Sequence, residues 1–400
     1  MAQNPKQVFA LFMKRFHITI LVLLCFFSLS AFAPARAEET AEEPSITEPD
    51  DGAALCKPGV QGDCLELGPA HYLKKMEGIG IRLPMKPLVY HAADPNLSYL
   101  PYLYGQVVTP NAPVYGSKED ASRARNPIRR MEGDFLYISY YTTEMVNDVR
   151  VYEVESGAWM NAFDVHRVGT PYFQGLEFQQ SPRNPFGWIL QPVETKKSPT
   201  YLTLDDYTGN WVNRFEIYQM YDKQTVDGLD WVMIRPGEWI EKRMISLVYP
   251  RTSPPGGVTT HRWIDINLYE QTIVAYEGTR ILFATVISSG LDPFWTRPGL
   301  FSIFDKLETT PMSGTFEADR SDYYYLEDVP WTMYFDEARA LHGAYWHTGY
   351  GWPRSHGCVN LSPGDAQWFY AWAEVGDQVY VHDPSGQTPT DPSLYGSGGA

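Results

Sequence analysis

Positive charge, cysteine and long apolar runs are all scarce in this chain of 400 residues. Its 32 basic residues stand against 48 acidic ones, a formal charge of −16, which excludes a nucleic-acid binder of the basic-patch kind. One long uncharged run exists, the 16 residues from Ile18 to Ala33, short for a membrane span. Lys6, Lys14 and Arg15 precede it and Ala35-Arg36-Ala37 comes after it, so residues 1–37 read as an export signal, with an uncleaved membrane anchor as the alternative. Losing the four basic residues of that signal would take the charge to −20. Seven acidic residues and two prolines, with no basic residue, then fill Glu38 to Asp51, the composition of a solvated spacer.

Only four cysteines are present. Cys25 lies in the signal. Cys56 and Cys64 flank Pro58, Gly59 and Gly62, a loop that an exported chain can close as a disulfide; two unrelated free thiols are the alternative. Residues 38–98 are therefore read as an acidic linker carrying a small Cys56/Cys64 loop. Cys358 has no partner left, and an odd thiol in an oxidising compartment points to reactivity.

Long helical periodicity is missing as well. Residues 99–250 are rich in Tyr, Trp, Val and Ile with frequent Gly and Pro, the pattern of many short strands. Gly157-Ala158-Trp159-Met160 recurs as Gly237-Glu238-Trp239-Ile240, and Gly105-Gln106-Val107-Val108 has a counterpart in Gly187-Trp188-Ile189-Leu190. The near-constant spacing divides the region into modules at 99–172 and 173–250. These segments are similar to bacterial SH3-like modules, which implies two small β-barrels; one larger β domain is the alternative.

A Pro/Gly-rich linker ends at Gly257, and residues 258–383 form the next unit. Ile264, Ile266 and Leu268 alternate with polar residues as in a half-buried strand. Strands Thr272–Tyr276 and Arg280–Ser288 flank the hairpin signal Glu277-Gly278. Leu291 to Val329, with its Tyr323-Tyr324-Tyr325 run, reads as a lid over the site or as a peripheral hairpin. Ser362 caps a helix that starts on Pro363 and Asp365 and buries Ala366, Phe369, Trp372 and Ala373. Gln378–His382 is a closing strand, and residues 384–400 read as a disordered tail.

Within this unit, Ser355-His356-Gly357-Cys358-Val359-Asn360 carries chemistry. A neighbouring imidazole raises the reactive fraction of a thiol, and Gly357 leaves room for a carbonyl to approach the Gly357 and Cys358 amides as oxyanion donors. His342 and His347 lie upstream. Zinc ligation by His342, His347, His356 and Cys358 is an alternative use of the same residue types, although their spacing is not that of a metal knuckle.

The hexapeptide, with Leu341-His342-Gly343 upstream, Thr296-Arg297-Pro298-Gly299 and the Asp365-Ala366 helix start, resembles the L,D-transpeptidase catalytic domain of the YkuD family. The resemblance covers about Thr260 to Asp383. It implies a mainly β protein: a C-terminal β-sandwich catalytic domain with one or two helices, preceded by the two SH3-like barrels. It makes Cys358 the nucleophile and His342 its base, oriented by a backbone carbonyl because Gly343 comes next. Ser355, His356 and Gly357 support the turn, while Asn360 and Tyr324 contact substrate. The spacing from His342 to Ser355 is shorter than the family's usual pattern, which leaves His347 as a rival base.

The same resemblance implies an exported enzyme that forms a thioester with peptidoglycan stem peptides, releases a terminal D-amino acid and passes the acyl group to an amine. No metal or organic cofactor is needed, and carbapenem-type β-lactams are expected inhibitors. The alternatives are an L,D-carboxypeptidase or endopeptidase with water as acceptor, and a wall-binding protein whose catalytic domain is vestigial.

Overall fold

The computed structural model describes residues 69–203, 205–315 and 323–395. The export signal, the acidic spacer and the Cys56–Cys64 pair lie outside the described residues. Among the described residues no helix is long and apolar enough to cross a membrane.

The region after residue 99 repeats one strand order twice. Strands β1 (Leu103–Val107), β2 (Ala112–Tyr115), β3 (Pro127–Met131), β4 (Phe135–Tyr140), β5 (Thr142–Val146), β6 (Val149–Glu155), β7 (Ala158–Asn161) and β8 (Val165–Val168) form the first copy. The second copy comprises β9 (Phe186–Ile189), β10 (Val193–Lys196), β11 (Tyr207–Val212), β12 (Ile217–Gln219), β13 (Asp222–Val226), β14 (Leu229–Arg235), β15 (Glu238–Glu241) and β16 (Ile245–Val248). Five strands form one sheet in each copy, in the orders β3-β2-β7-β6-β5 and β11-β10-β15-β14-β13. The other three run β4-β1-β8 and β12-β9-β16. Turn chemistry repeats too. Asn147-Asp148 and Asp227-Gly228 take positive φ between paired strands, and Gly157 and Gly237 turn at φ 76° and 75°.

Nine strands build the last unit: β17 (Arg262–Asn267), β18 (Thr272–Glu277), β19 (Arg280–Val286), β20 (Gly299–Ser302), β21 (Asp305–Gly314), β22 (Tyr324–Asp336), β23 (Arg339–Gly343), β24 (Val359–Leu361) and β25 (Gln378–His382). One sheet runs β19-β18-β17-β25-β20, extended past β19 by the short strands Leu176–Glu177 and His91–Ala92. A second sheet runs β24-β23-β22-β4-β1-β8, with β21 also paired to β22. The first module is thus hydrogen-bonded into the catalytic sheet through the parallel pairs Tyr324↔Phe135, Tyr325↔Leu136 and Leu326↔Tyr137. Between the two sheets, Ile264, Ile266, Phe283, Leu341, Val359 and Phe369 form the core. The helix Pro363–Trp372 packs there, its first turn held by Ser362 Oγ accepting from the Asp365 amide.

Three expectations need correction. Residues from 69 onward are not linker: Ile81 is buried in the second module's core, and Ala93 and Leu97 pack into the catalytic core. Apolar side chains at those positions have a surface to cover, so the chain wraps it. The tail is ordered as far as Tyr395, because the buried Arg339 guanidinium donates to the Tyr395 carbonyl at 2.6 Å and Asp383 accepts from Thr388. The described residues of Leu291–Val329 include β21 and the start of β22, which pair as a long hairpin that is not peripheral, since Met312 and Tyr324 are buried.

Candidate active site

Parallel pairing of β23 with β24 sets the site. The register matches Leu341 to Val359 and His342 to Asn360. Cys358 immediately precedes β24 and falls opposite Ala340. His342, two residues further along β23, therefore shares the face of Cys358, because side chains alternate along a strand. Both are buried, at 4 % and 2 % exposure. They line a cavity of about 290 Å³ together with Tyr324, Trp346, Ser355, His356 and Asn360. A larger groove of about 890 Å³, lined by Lys242, Arg251, Asp265, Tyr380 and His382, contains no thiol.

Burial dominates the electrostatics. It pushes the Cys358 thiol up to about 11, opposed in part by a bond from the Ala340 backbone and by the Arg339 charge. The same burial lowers His342 to about 4, while the Gly343 carbonyl beside it favours the protonated ring. No hydrogen bond with full geometry reaches His342 Nδ1. Thiol and imidazole are thus both neutral in the empty site. Trp346 packs on the His342 ring at 5.6 Å between centroids and limits how it can turn.

His347 is differently engaged. Its Nδ1 accepts from the Gly349 amide at 3.1 Å and its Nε2 lies 3.0 Å from the Asn360 side-chain amide. Burial, with the Arg354 charge next, lowers it to about 3. With both nitrogens occupied, it braces Asn360. Because Nδ1 accepts, the neutral ring carries its proton on Nε2, so the Asn360 oxygen should face it, leaving the Asn360 NH₂ as a donor on the other side.

The turn before the thiol is tied from several directions. Ser355 Oγ donates to the Cys358 carbonyl and accepts from the Gly357 amide at 3.2 Å. The Gly357 amide is therefore taken in the empty site, contrary to the expectation that it stands ready as an oxyanion donor; releasing it requires Ser355 to rotate. Gly357 itself adopts φ 121°, a conformation that suits glycine alone, and a Cβ there would meet the Arg339 side chain at 3.2 Å. Thr296 accepts from the Gly290 amide and donates to the Gly357 carbonyl at 2.9 Å, joining its loop to the turn. Tyr324 stacks on His356 at 5.6 Å and 9°. Burial raises the Tyr324 phenol well above its usual value, so it is a neutral donor.

Several residues at this site carried no signal in the sequence. Arg339 bonds Asp336 and stands beside Gly357, Trp346 covers the base, and Phe135 of the first module reaches the cavity wall. Only the tyrosine- and tryptophan-rich composition hinted at the last two. Among the described residues no three His, Cys, Asp or Glu side chains converge as a metal site.

Residues 261–381 match the family model of the L,D-transpeptidase catalytic domain, YkuD. The candidate L,D-transpeptidase YciB of Bacillus subtilis is 29 % identical over 142 residues, covering 30 % of this chain and 67 % of its own length. L,D-transpeptidase 2 of Mycobacterium tuberculosis is 34 % identical over 106 residues, covering 25 % of this chain and 26 % of its own. The chain thus spans about two thirds of the first relative and about a quarter of the second. Among solved structures, the E. faecium L,D-transpeptidase catalytic domain acylated by ertapenem is 26 % identical, matching 32 % of this chain and all of its own at a TM-score of 0.28. It is the family-model match that identifies residues 261–381 as an L,D-transpeptidase catalytic domain.

Proposed function

We propose that this chain is an exported L,D-transpeptidase acting on peptidoglycan stem peptides, with Cys358 as nucleophile and His342 as general base. The observation that carries this reading is the register of β23 on β24, which sets the two side chains on one face of one cavity. Because both rest neutral, the thiol gives up its proton to His342 only as sulfur bonds to the carbonyl carbon of the third stem residue. The C–N bond then breaks, His342 returns that proton to the departing D-amino acid's amine, and a thioester remains. An acceptor amine attacks, loses a proton through His342, and the thiol is restored. The Cys358 amide, with Gly357 once Ser355 turns, is suited to the developing oxyanion. Tyr324 and the Asn360 NH₂ are placed to contact substrate backbone.

The leader supports export, and the twice-repeated strand order supports SH3-like modules that hold the enzyme on wall polymer. Carbapenem-type β-lactams would acylate the same thiol, as ertapenem does in the E. faecium domain. The test is to incubate the protein with a purified tetrapeptide muropeptide and follow products and intact mass. A crosslinked dimer supports transfer, and tripeptide alone would make the enzyme an L,D-carboxypeptidase. No adduct with peptide or carbapenem would refute cysteine catalysis, and a Cys358→Ala variant that then kept the protein's full function would leave a wall-binding protein.

A further inference from the structure

Among the described residues, Arg354 is the one arginine or lysine lining the cavity that holds Cys358, and no carboxylate lines it. The walls around it, Met312, Tyr324, Leu326 and Trp346, are mainly apolar. Other arginines near the site are paired: Arg297 and Arg339 both bond Asp336. Arg354 is exposed, and no carboxylate pairs with it among the described residues. Its position is nonetheless built. A Cβ on Gly349 would lie 1.9 Å from Arg354 Nε, so the guanidinium rests flat on backbone that only glycine leaves open.

A second cation stands nearby without a counter-charge. Arg214, from the loop between β11 and β12, donates to the carbonyls of Thr348 and Tyr350, and its Nε is buried without a partner. Burial and the Arg354 charge both disfavour its protonated state. Two guanidiniums that repel each other beside a mostly apolar cavity leave a local excess of positive charge, which an anion would relieve. A planar fork fits a carboxylate best.

We propose that Arg354 anchors the free carboxylate of the donor peptide's terminal residue, the residue that leaves when Cys358 is acylated. This rests on the transpeptidase reading and adds to it a reason for preferring donors with a free C-terminus. That carboxylate sits one residue beyond the scissile carbonyl, and Arg354 lies four positions before Cys358 on the same cavity wall. Arg214 reinforces the field without touching the ligand.

The experiment compares two donors, the free-acid tetrapeptide and its C-terminal amide, by the rate of acyl-enzyme formation on Cys358. Wild type should favour the acid by roughly 10- to 100-fold in kcat/KM, the range of a charge-assisted hydrogen bond. Arg354→Gln should lose that preference through KM on the acid and leave the amide unchanged. Arg354→Lys should keep part of it, and salt should erode the wild-type preference. Equal rates of acid and amide in wild type would overturn the proposal, as would an Arg354→Gln that slows both donors alike. If neither donor nor a carbapenem acylates the wild-type protein, the transpeptidase reading falls and the anchor with it.

Discussion

In the first module, β4 lies between β1 and β22 and continues the catalytic sheet. In the second, the equivalent strand β12 ends its own sheet; the short strand Leu176–Glu177 ahead of β9 pairs with β19, but the repeated strands β9–β16 meet the catalytic domain through side chains. There Lys242 and Glu270 form a buried pair at 2.8 Å, and the Glu270 carboxylate also accepts from the Leu247 amide. One strand order thus supports two kinds of junction. A backbone ladder fixes position along the whole strand and brings Phe135 to the cavity. An ion pair fixes one point and leaves the site's walls to others.

Proline in the ladder is the severest way to break this contrast. Leu136→Pro should take a backbone N–H out of β4, between β1 and β22, destabilise the fold strongly and abolish Cys358 acylation. Tyr218→Pro, in the middle of the edge strand β12, should lower stability less and leave acylation by the folded fraction intact. Denaturant midpoints with acylation assays on both variants decide it, and equal losses would erase the distinction.

The second junction breaks differently. Lys242→Met alone should destabilise by about 3–5 kcal/mol, because it strands Glu270 as a buried charge. Combining it with Glu270→Leu should recover most of that, although the Leu247 amide then loses its acceptor. Urea unfolding of the single and double variants gives the comparison.

pH should separate the junctions further. Glu327 accepts from the Ser139 amide of β4 at 2.9 Å, and burial raises its carboxyl to about 7 from the usual 4.5 or so. The folded state therefore holds a proton that the unfolded state releases between about pH 4.5 and 7. Stability from this group is present below that window and declines as pH rises through it. Glu327→Gln removes the dependence, so the wild-type-minus-variant difference in melting temperature should drift downward from pH 5 to 8. Background groups such as His342 and Asp365 cancel in that difference.

The smallest effect concerns the wall. Phe135 is 41 % exposed and lines the cavity. Phe135→Ala should raise KM for a stem-peptide donor a few-fold, with stability changing by about 0.5 kcal/mol or less. Ile217→Ala, in β12 of the second module, should leave KM unchanged.

What could be read from the sequence was local. The Ser355–Asn360 turn, the Ser362 cap, the Glu277-Gly278 hairpin and the Gly-x-Trp repeat each place their determinants within a few residues. Long-range pairing stayed hidden. Nothing in Phe135–Tyr140 announces a parallel partner nearly 190 residues away. Arg339 looks like any arginine until Asp336 and the Tyr395 carbonyl surround it. The segment 69–98 has no clear apolar period, yet Ile81, Ala93 and Leu97 suffice to fasten it. The sequence offered both His342 and His347; the strand register puts His342 on the face of Cys358, while His347 bonds Gly349 and Asn360.

The place of β25 has a consequence for how the molecule comes into being. This strand lies between β17 and β20 in the middle of its sheet, and it is parallel to β17. Until residue 382 has been synthesised, β17 and β20 have no shared neighbour, and until Tyr395 is added, Arg339 holds Asp336 but lacks its second acceptor, the Tyr395 carbonyl. A growing chain can complete both modules long before that. Pairings of such sequence separation form slowly. Cys358 is therefore made before its shelter, and until closure its thiol is that of an ordinary exposed cysteine.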